Sequence, residues 1–167
     1  MGTIYQRLDV ENAQFLGTAF PDYVKVLGSN FPVAALGYDQ TTVESAYWKF
    51  RALAYGSGNI TVDIDWYANN VNTGAVVWGA AVAAMTPNVD DASVEAKAFA
   101  TQNTATGTLP GSDTRRPNRT SITISNLDSI AVDDIVWIRI QRVANDGSDT
   151  MAADARLLQV TLSYSDS

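Results

Sequence analysis

The chain contains no histidine and no cysteine among its 167 residues. Without histidine it lacks the one side chain that ordinarily exchanges protons near neutral pH, and with it any Ser-His-Asp relay. Without cysteine there are no disulfides, no thiolate catalysis and no cysteine-ligated zinc. The only metal left open is a hard cation held by oxygens. No Ser-x-x-Lys arrangement replaces the missing triad and no Gly-rich phosphate loop occurs. The expectation is a protein that is not an enzyme and uses no cofactor.

Positive charge is also scarce. Eleven Lys and Arg stand against eighteen Asp and Glu, a formal net charge of −7, which repels phosphate backbones, so no nucleic acid is expected as a partner. Long apolar runs are missing too. Residues 71–89 carry little charge but are broken by Asn72, Gly74, Gly79 and Pro87, so no membrane span is expected. The first residues lack the basic patch, apolar core and cleavage site of a secretory signal, so export by that route is not expected.

What the chain does have is alternation. With 46% hydrophobic residues it reads as one globular unit, long enough to bury roughly two thirds of its unfolded surface without a staple. The clearest strand covers residues 59–67, where Ile60, Val62, Ile64 and Trp66 share one parity and Thr61, Asp63, Asp65 and Tyr67 the other; one face is core and one is wet. Residues 47–53 alternate with charges at Lys49 and Arg51. Residues 74–85 read as a strand with a bulge or close approach at Gly79, with a short helix as the alternative. A weaker strand is expected over residues 94–101, then a long polar connection over 101–117, and further strands over 120–125, 135–143 and 156–164. Many strands with turn signals between them and hardly any helical period describe an all-β antiparallel sandwich, and about eight strands favour a jelly roll over residues 41–167.

Residues 1–40 mix Phe15, Phe20, Tyr23, Phe31 and Tyr38 with prolines and glycines and hold no period. They read as an extended arm whose apolar side chains must lie along the sandwich or reach a neighbouring subunit. Removing them is expected to leave a folded monomer.

Several residue groups could carry chemistry. Asp63 and Asp65 project from one strand face about 7 Å apart, a spacing for a glycosidase pair or a cation site; solvation and edge protection are the competing reading. The loop Asp146-Gly147-Ser148-Asp149, with Asp154 behind it, only loosely follows calcium-loop spacing, and hairpin turn chemistry explains Asp-Gly equally well. Arg115, Arg116 and Arg119 form a basic cluster that could clamp an anion or an acidic patch on a protein; a solvated loop end is the alternative. Of the four tryptophans, Trp66 and Trp78 fall on apolar parities. Trp137 lies on the outward parity of its strand and is the candidate for an interface or a ligand.

Residues 46–50 (AYWKF), 58–67 (GNITVDIDWY), 74–79 (GAVVWG) and 146–155 (DGSDTMAADA) resemble segments of small structural proteins of tailed bacteriophages, a likeness covering about residues 40–165. It implies a virion component made in the host cytoplasm: a capsid decoration (cement) protein, or alternatively a tail-fibre or receptor-binding module that recognises host-surface glycans. For the cement role the implied partners are a homo-oligomer, with a trimer expected, and the major capsid protein, met through Phe15, Phe20, Tyr23, Phe31, Arg115, Arg116, Arg119 and Trp137. The likeness implies no catalytic residue.

Overall fold

The computed structural model describes residues 2–111 and 115–166. Ten strands run in chain order: β1 (Thr3–Asp9), β2 (Asp22–Val26), β3 (Val33–Tyr38), β4 (Glu44–Arg51), β5 (Ile60–Ala68), β6 (Ala75–Met85), β7 (Asn103–Thr108), β8 (Asn118–Ile124), β9 (Ile135–Arg142) and β10 (Ala155–Ser165). They form two antiparallel sheets packed face to face. One is ordered β2-β3-β10-β5-β8 with β1 also on β10, and the other β4-β9-β6-β7.

The core is where the inward parities meet. Ile60, Val62, Ile64 and Trp66 of β5 are fully buried against Val76, Trp78, Ala80 and Val82 of β6 and Val136, Ile138 and Ile140 of β9. Trp66 and Trp78 lie with ring centroids 6.1 Å apart, and Tyr38 meets Trp78 edge-on at 5.1 Å. Two of the three polar tips are satisfied, and Trp78 Nε1 is buried without a described acceptor. Trp66 Nε1 donates to Thr120 Oγ1 at 2.9 Å, and Tyr38 Oη to the Ile140 carbonyl at 3.1 Å, which offsets the cost of burying them. Burial also holds the Tyr38 hydroxyl well above its usual pKa.

The expected arm lies along the sandwich, and much of it is sheet. β1 pairs with β10 over residues 159–165 and β3 pairs with the same edge over 155–157. The exchange of neighbours occurs at Leu158, where β10 shifts register against β5 on its other side; such a bulge leaves one residue without a cross-strand partner. Leu8, Val10, Leu36 and Tyr38 enter the core. Cutting at residue 40 would therefore strip two strands from β10, which corrects the expectation that the remainder stays folded. Period analysis misses these strands because each spans only five to seven residues.

Two other expectations need correcting. Residues 94–101 are not a strand; they make one backbone bond to the sheet, Ala100 N to the Val82 carbonyl at 2.9 Å. The strand is instead Asn103–Thr108, inside the stretch expected to be a polar connection. Its sequence NTATGT has no large apolar residue to signal it, and it pairs only with β6, so it needs little hydrophobicity. β6 itself is buried along its whole length. Its inward parity faces the core, and its outward parity, Gly79, Ala81 and Ala83, lies under the segment that follows. Gly79 is a site of close approach: a Cβ there would lie 2.4 Å from the Gln102 side chain.

Candidate functional site

The outer face of the four-stranded sheet carries Tyr47 from β4 and Trp137 from β9. The β4–β9 register sets Tyr47 opposite Arg139 and Lys49 opposite Trp137. Tyr47 and Lys49 share a parity, as do Trp137 and Arg139, so the four side chains form a two-by-two array in which each aromatic has a cation across the ladder. Directly paired residues stand about 5 Å apart. On the far side of β9, Ala81 lies opposite Arg139 and Ala83 opposite Trp137. Ala81 is covered by the segment that follows β6, and Ala83, being small, lowers the floor of a groove beside Trp137.

Two non-strand segments wall it. Residues 13–19 run beside β4: Gln14 and Tyr47 exchange backbone hydrogen bonds of 2.8 and 3.0 Å, and Ser45 N donates to the Ala19 carbonyl at 2.9 Å. This brings Phe15 to one rim, its ring 5.8 Å from Phe20. The opposite wall is the segment between β6 and β7. Phe99 reaches across to pack 5.9 Å from Tyr47 and under the Arg139 guanidinium at 5.4 Å, while Gln102 Oε1 accepts from Arg139 Nη2 at 3.0 Å. Lys97 anchors this wall by a 2.9 Å ion pair with Asp128. The space between the walls is about 500 Å³. It continues past Tyr47 and Trp137 into a second depression of about 460 Å³ toward Arg7, Asp9 and Lys49. Trp137 is half-buried at the junction.

The other predicted residues are distributed elsewhere. Phe31 and Arg115 line a depression of about 570 Å³ on the outer face of the six-stranded sheet, with Tyr67 and Arg156 beside them. Tyr23 projects from β2 at that sheet's edge. The arginine cluster divides: Arg116 Nη2 donates to the Pro110 carbonyl at 2.7 Å, and Arg119 holds Asp65 through bonds of 2.7 and 2.9 Å. Of the predicted set, Phe15, Phe20 and Trp137 come together at the groove, and Phe31 and Arg115 at the depression on the other sheet.

Asp63 and Asp65 do not form a catalytic pair. Asp65 is taken by Arg119, and Asp63 accepts from Ser121 Oγ at 2.5 Å, both on β8, so the two carboxylates are rungs of a cross-strand polar ladder. The Asp146–Asp154 loop is likewise committed to protein. Asp149 is bound by Arg142 and Asp154 Oδ2 accepts from Asn69 at 2.8 Å. No group of three potential metal ligands occurs among the described residues.

Sequence reasoning marked Trp137 but missed Tyr47, Lys49 and Arg139 as its companions. Their outward parity was legible; their adjacency depends on β4 pairing with β9 across more than 80 residues.

No protein-family model and no curated protein sequence matches the chain. Among solved structures it is similar to a carbohydrate-binding module described for specific mannan recognition, at 13% identity over 99% of each chain with a TM-score of 0.50. It is also similar to a carbohydrate-binding module from Cellvibrio japonicus Abf62 (10% identity, 98% and 99% covered, TM-score 0.45) and to a family 11 module from Clostridium thermocellum (9% identity, 95% and 86% covered, TM-score 0.45). The first of these likenesses, at 13% identity, establishes the fold, an all-β antiparallel jelly-roll sandwich, and nothing finer.

Proposed function

We propose that this protein is a non-catalytic module that binds a glycan in the groove over Trp137. The observation that carries the reading is the placement of Tyr47 and Trp137 at diagonal corners of one outer sheet face, lining a groove between two walls. A sugar ring presents an apolar face to an aromatic ring and hydroxyls around its edge, so it needs a flat aromatic floor with hydrogen-bonding groups at the sides. Gln14, Lys49, Glu95 and Arg139 stand at those sides. The fold shared with a mannan-recognising module supports this reading. Binding on a glycan array should be lost in Trp137→Ala while the thermal unfolding midpoint stays close to that of the parent. An array with no ligand, or one unchanged by Trp137→Ala, overturns the proposal.

A second reading is favoured by the exposed apolar residues among the first forty: Leu27 is 80% exposed and Phe31 70%. Such a patch is suited to protein contact. In this reading the module is a virion component whose β2–β3 edge meets another copy, as a trimer, or the major capsid protein. Leu27→Ser with Phe31→Ser would lower the oligomer mass by light scattering and weaken capsid binding without altering the glycan array; an unchanged mass and capsid affinity would refute it.

A further inference from the structure

The groove is locally basic on a strongly acidic protein. Of the cations around it, Arg7 is paired with Asp9 at 2.6 Å and Lys97 with Asp128 at 2.9 Å. Lys49 and Arg139 form no ion pair with any described residue. Arg139 is partly spent, on Gln102 and the Phe99 face, but its Nε is buried and accepted by no described group. Lys49 is exposed. Because they occupy diagonal corners of the array, their stems stand about 7–8 Å apart, on either side of the Tyr47–Trp137 floor. Glu95, a carboxylate in the groove lining with no ion pair to a described residue, is exposed.

The buried Arg139 Nε without an acceptor forfeits a charge-assisted hydrogen bond, and Lys49, exposed and hydrated, supplies a second positive charge for an anion that reaches it. A neutral sugar can answer that donor only with a hydroxyl or ring oxygen, whereas the carboxylate of a sugar acid answers it with a bond roughly twice as strong and also meets the Lys49 charge. We infer that the groove selects an acidic saccharide, one whose ring lies on Trp137 and whose carboxylate is held between Lys49 and Arg139. The inference rests on the glycan-binding reading and narrows it to uronate-type ligands. The net charge of −7 opposes non-specific attraction of such polymers to the protein as a whole.

The test is an array of uronate polysaccharides, each printed beside its carboxyl-reduced neutral counterpart and probed with the full chain, Lys49→Met, Arg139→Met and, as a charge control on the other sheet, Lys25→Met. The expected result is binding to at least one uronate, about tenfold or more weaker binding to its reduced partner, a similar loss in both groove variants, no loss in Lys25→Met, and weakening with added salt. Equal binding to acidic and reduced polymers, retention by Lys49→Met, or an equal loss in Lys25→Met overturns the acidic selectivity and leaves the groove reading standing. Lys49 is exposed, so its variant remains informative if Arg139→Met unfolds. Binding to no polymer of either kind overturns both.

Discussion

Arg142 and Asp149 face each other across seven residues of chain as a fully buried bidentate pair, Nη2 to Oδ1 at 2.7 Å and Nε to Oδ2 at 3.1 Å. The guanidinium spends its other donors on the carbonyls of Met151 at 2.9 Å and Ala153 at 2.8 Å, and Asp149 Oδ2 also accepts from Val77 N at 3.0 Å. The pair thus ties the loop between β9 and β10 to the end of β6. Truncating one partner leaves a buried charge unanswered, so Asp149→Ala should lower unfolding stability by about 3–5 kcal/mol, read as a shift of the urea midpoint with little change in slope.

At Gly107 the two sheets come close at a corner. A Cβ there would stand 2.0 Å from Thr120 Oγ1 and 3.0 Å from the Trp66 ring, the two groups joined by the buried indole hydrogen bond. Gly107→Ala should therefore cost about 1–3 kcal/mol through overpacking, whereas Gly147→Ala, with nothing within 4 Å of the added carbon, should leave the melting temperature nearly unchanged.

The Asp63 and Asp65 carboxylates bond across to β8 on a solvated face. Asp63→Asn and Asp65→Asn should each shift stability by no more than about 1 kcal/mol, the usual size for exposed pairs. Neither should alter glycan binding in the groove, which lies on the other sheet. A loss of array signal in either variant would contradict the site assignment.

Glu44 begins β4, and its Oε2 accepts from Asp39 N at 2.8 Å. Burial, more than the neighbouring carboxylates Asp39, Asp22 and Asp154, raises its pKa above the usual glutamate value. The folded state then holds the proton more tightly than the unfolded chain, so this group's contribution to stability falls as pH rises through the interval just above the ordinary glutamate pKa. Glu44→Gln keeps an acceptor for Asp39 N and should flatten that part of the pH–stability curve. Asp39 acts in the opposite sense. The Thr41 hydroxyl, with the Thr41 and Thr42 amides, lowers it to about 2, so its contribution is present above the ordinary aspartate pKa and lost as pH falls toward 2. Urea midpoints taken across acidic pH for the parent, Glu44→Gln and Asp39→Asn separate the two.

Alternation is a local property, which is why it could be read residue by residue. The wet and dry faces of β5, the inward tryptophans 66 and 78 and the outward position of Trp137 follow from a side-chain period of two and the cost of leaving apolar surface in water. The sandwich follows from many such strands and few helical ones. The missing histidines and cysteines set the chemistry that any site would have to manage without.

Pairing is not local, and only the tertiary structure settled it. NTATGT becomes a strand because β6 offers it an edge, and β1 and β3 share one side of β10, changing over at Leu158 where β10 shifts register against β5 on its other side. Tyr47, Lys49, Trp137 and Arg139 meet because one register out of several aligned them. A cross-strand contact costs chain entropy that no short window of sequence reports, so the sequence determined which side chains face outward, and the fold decided which of them stand together.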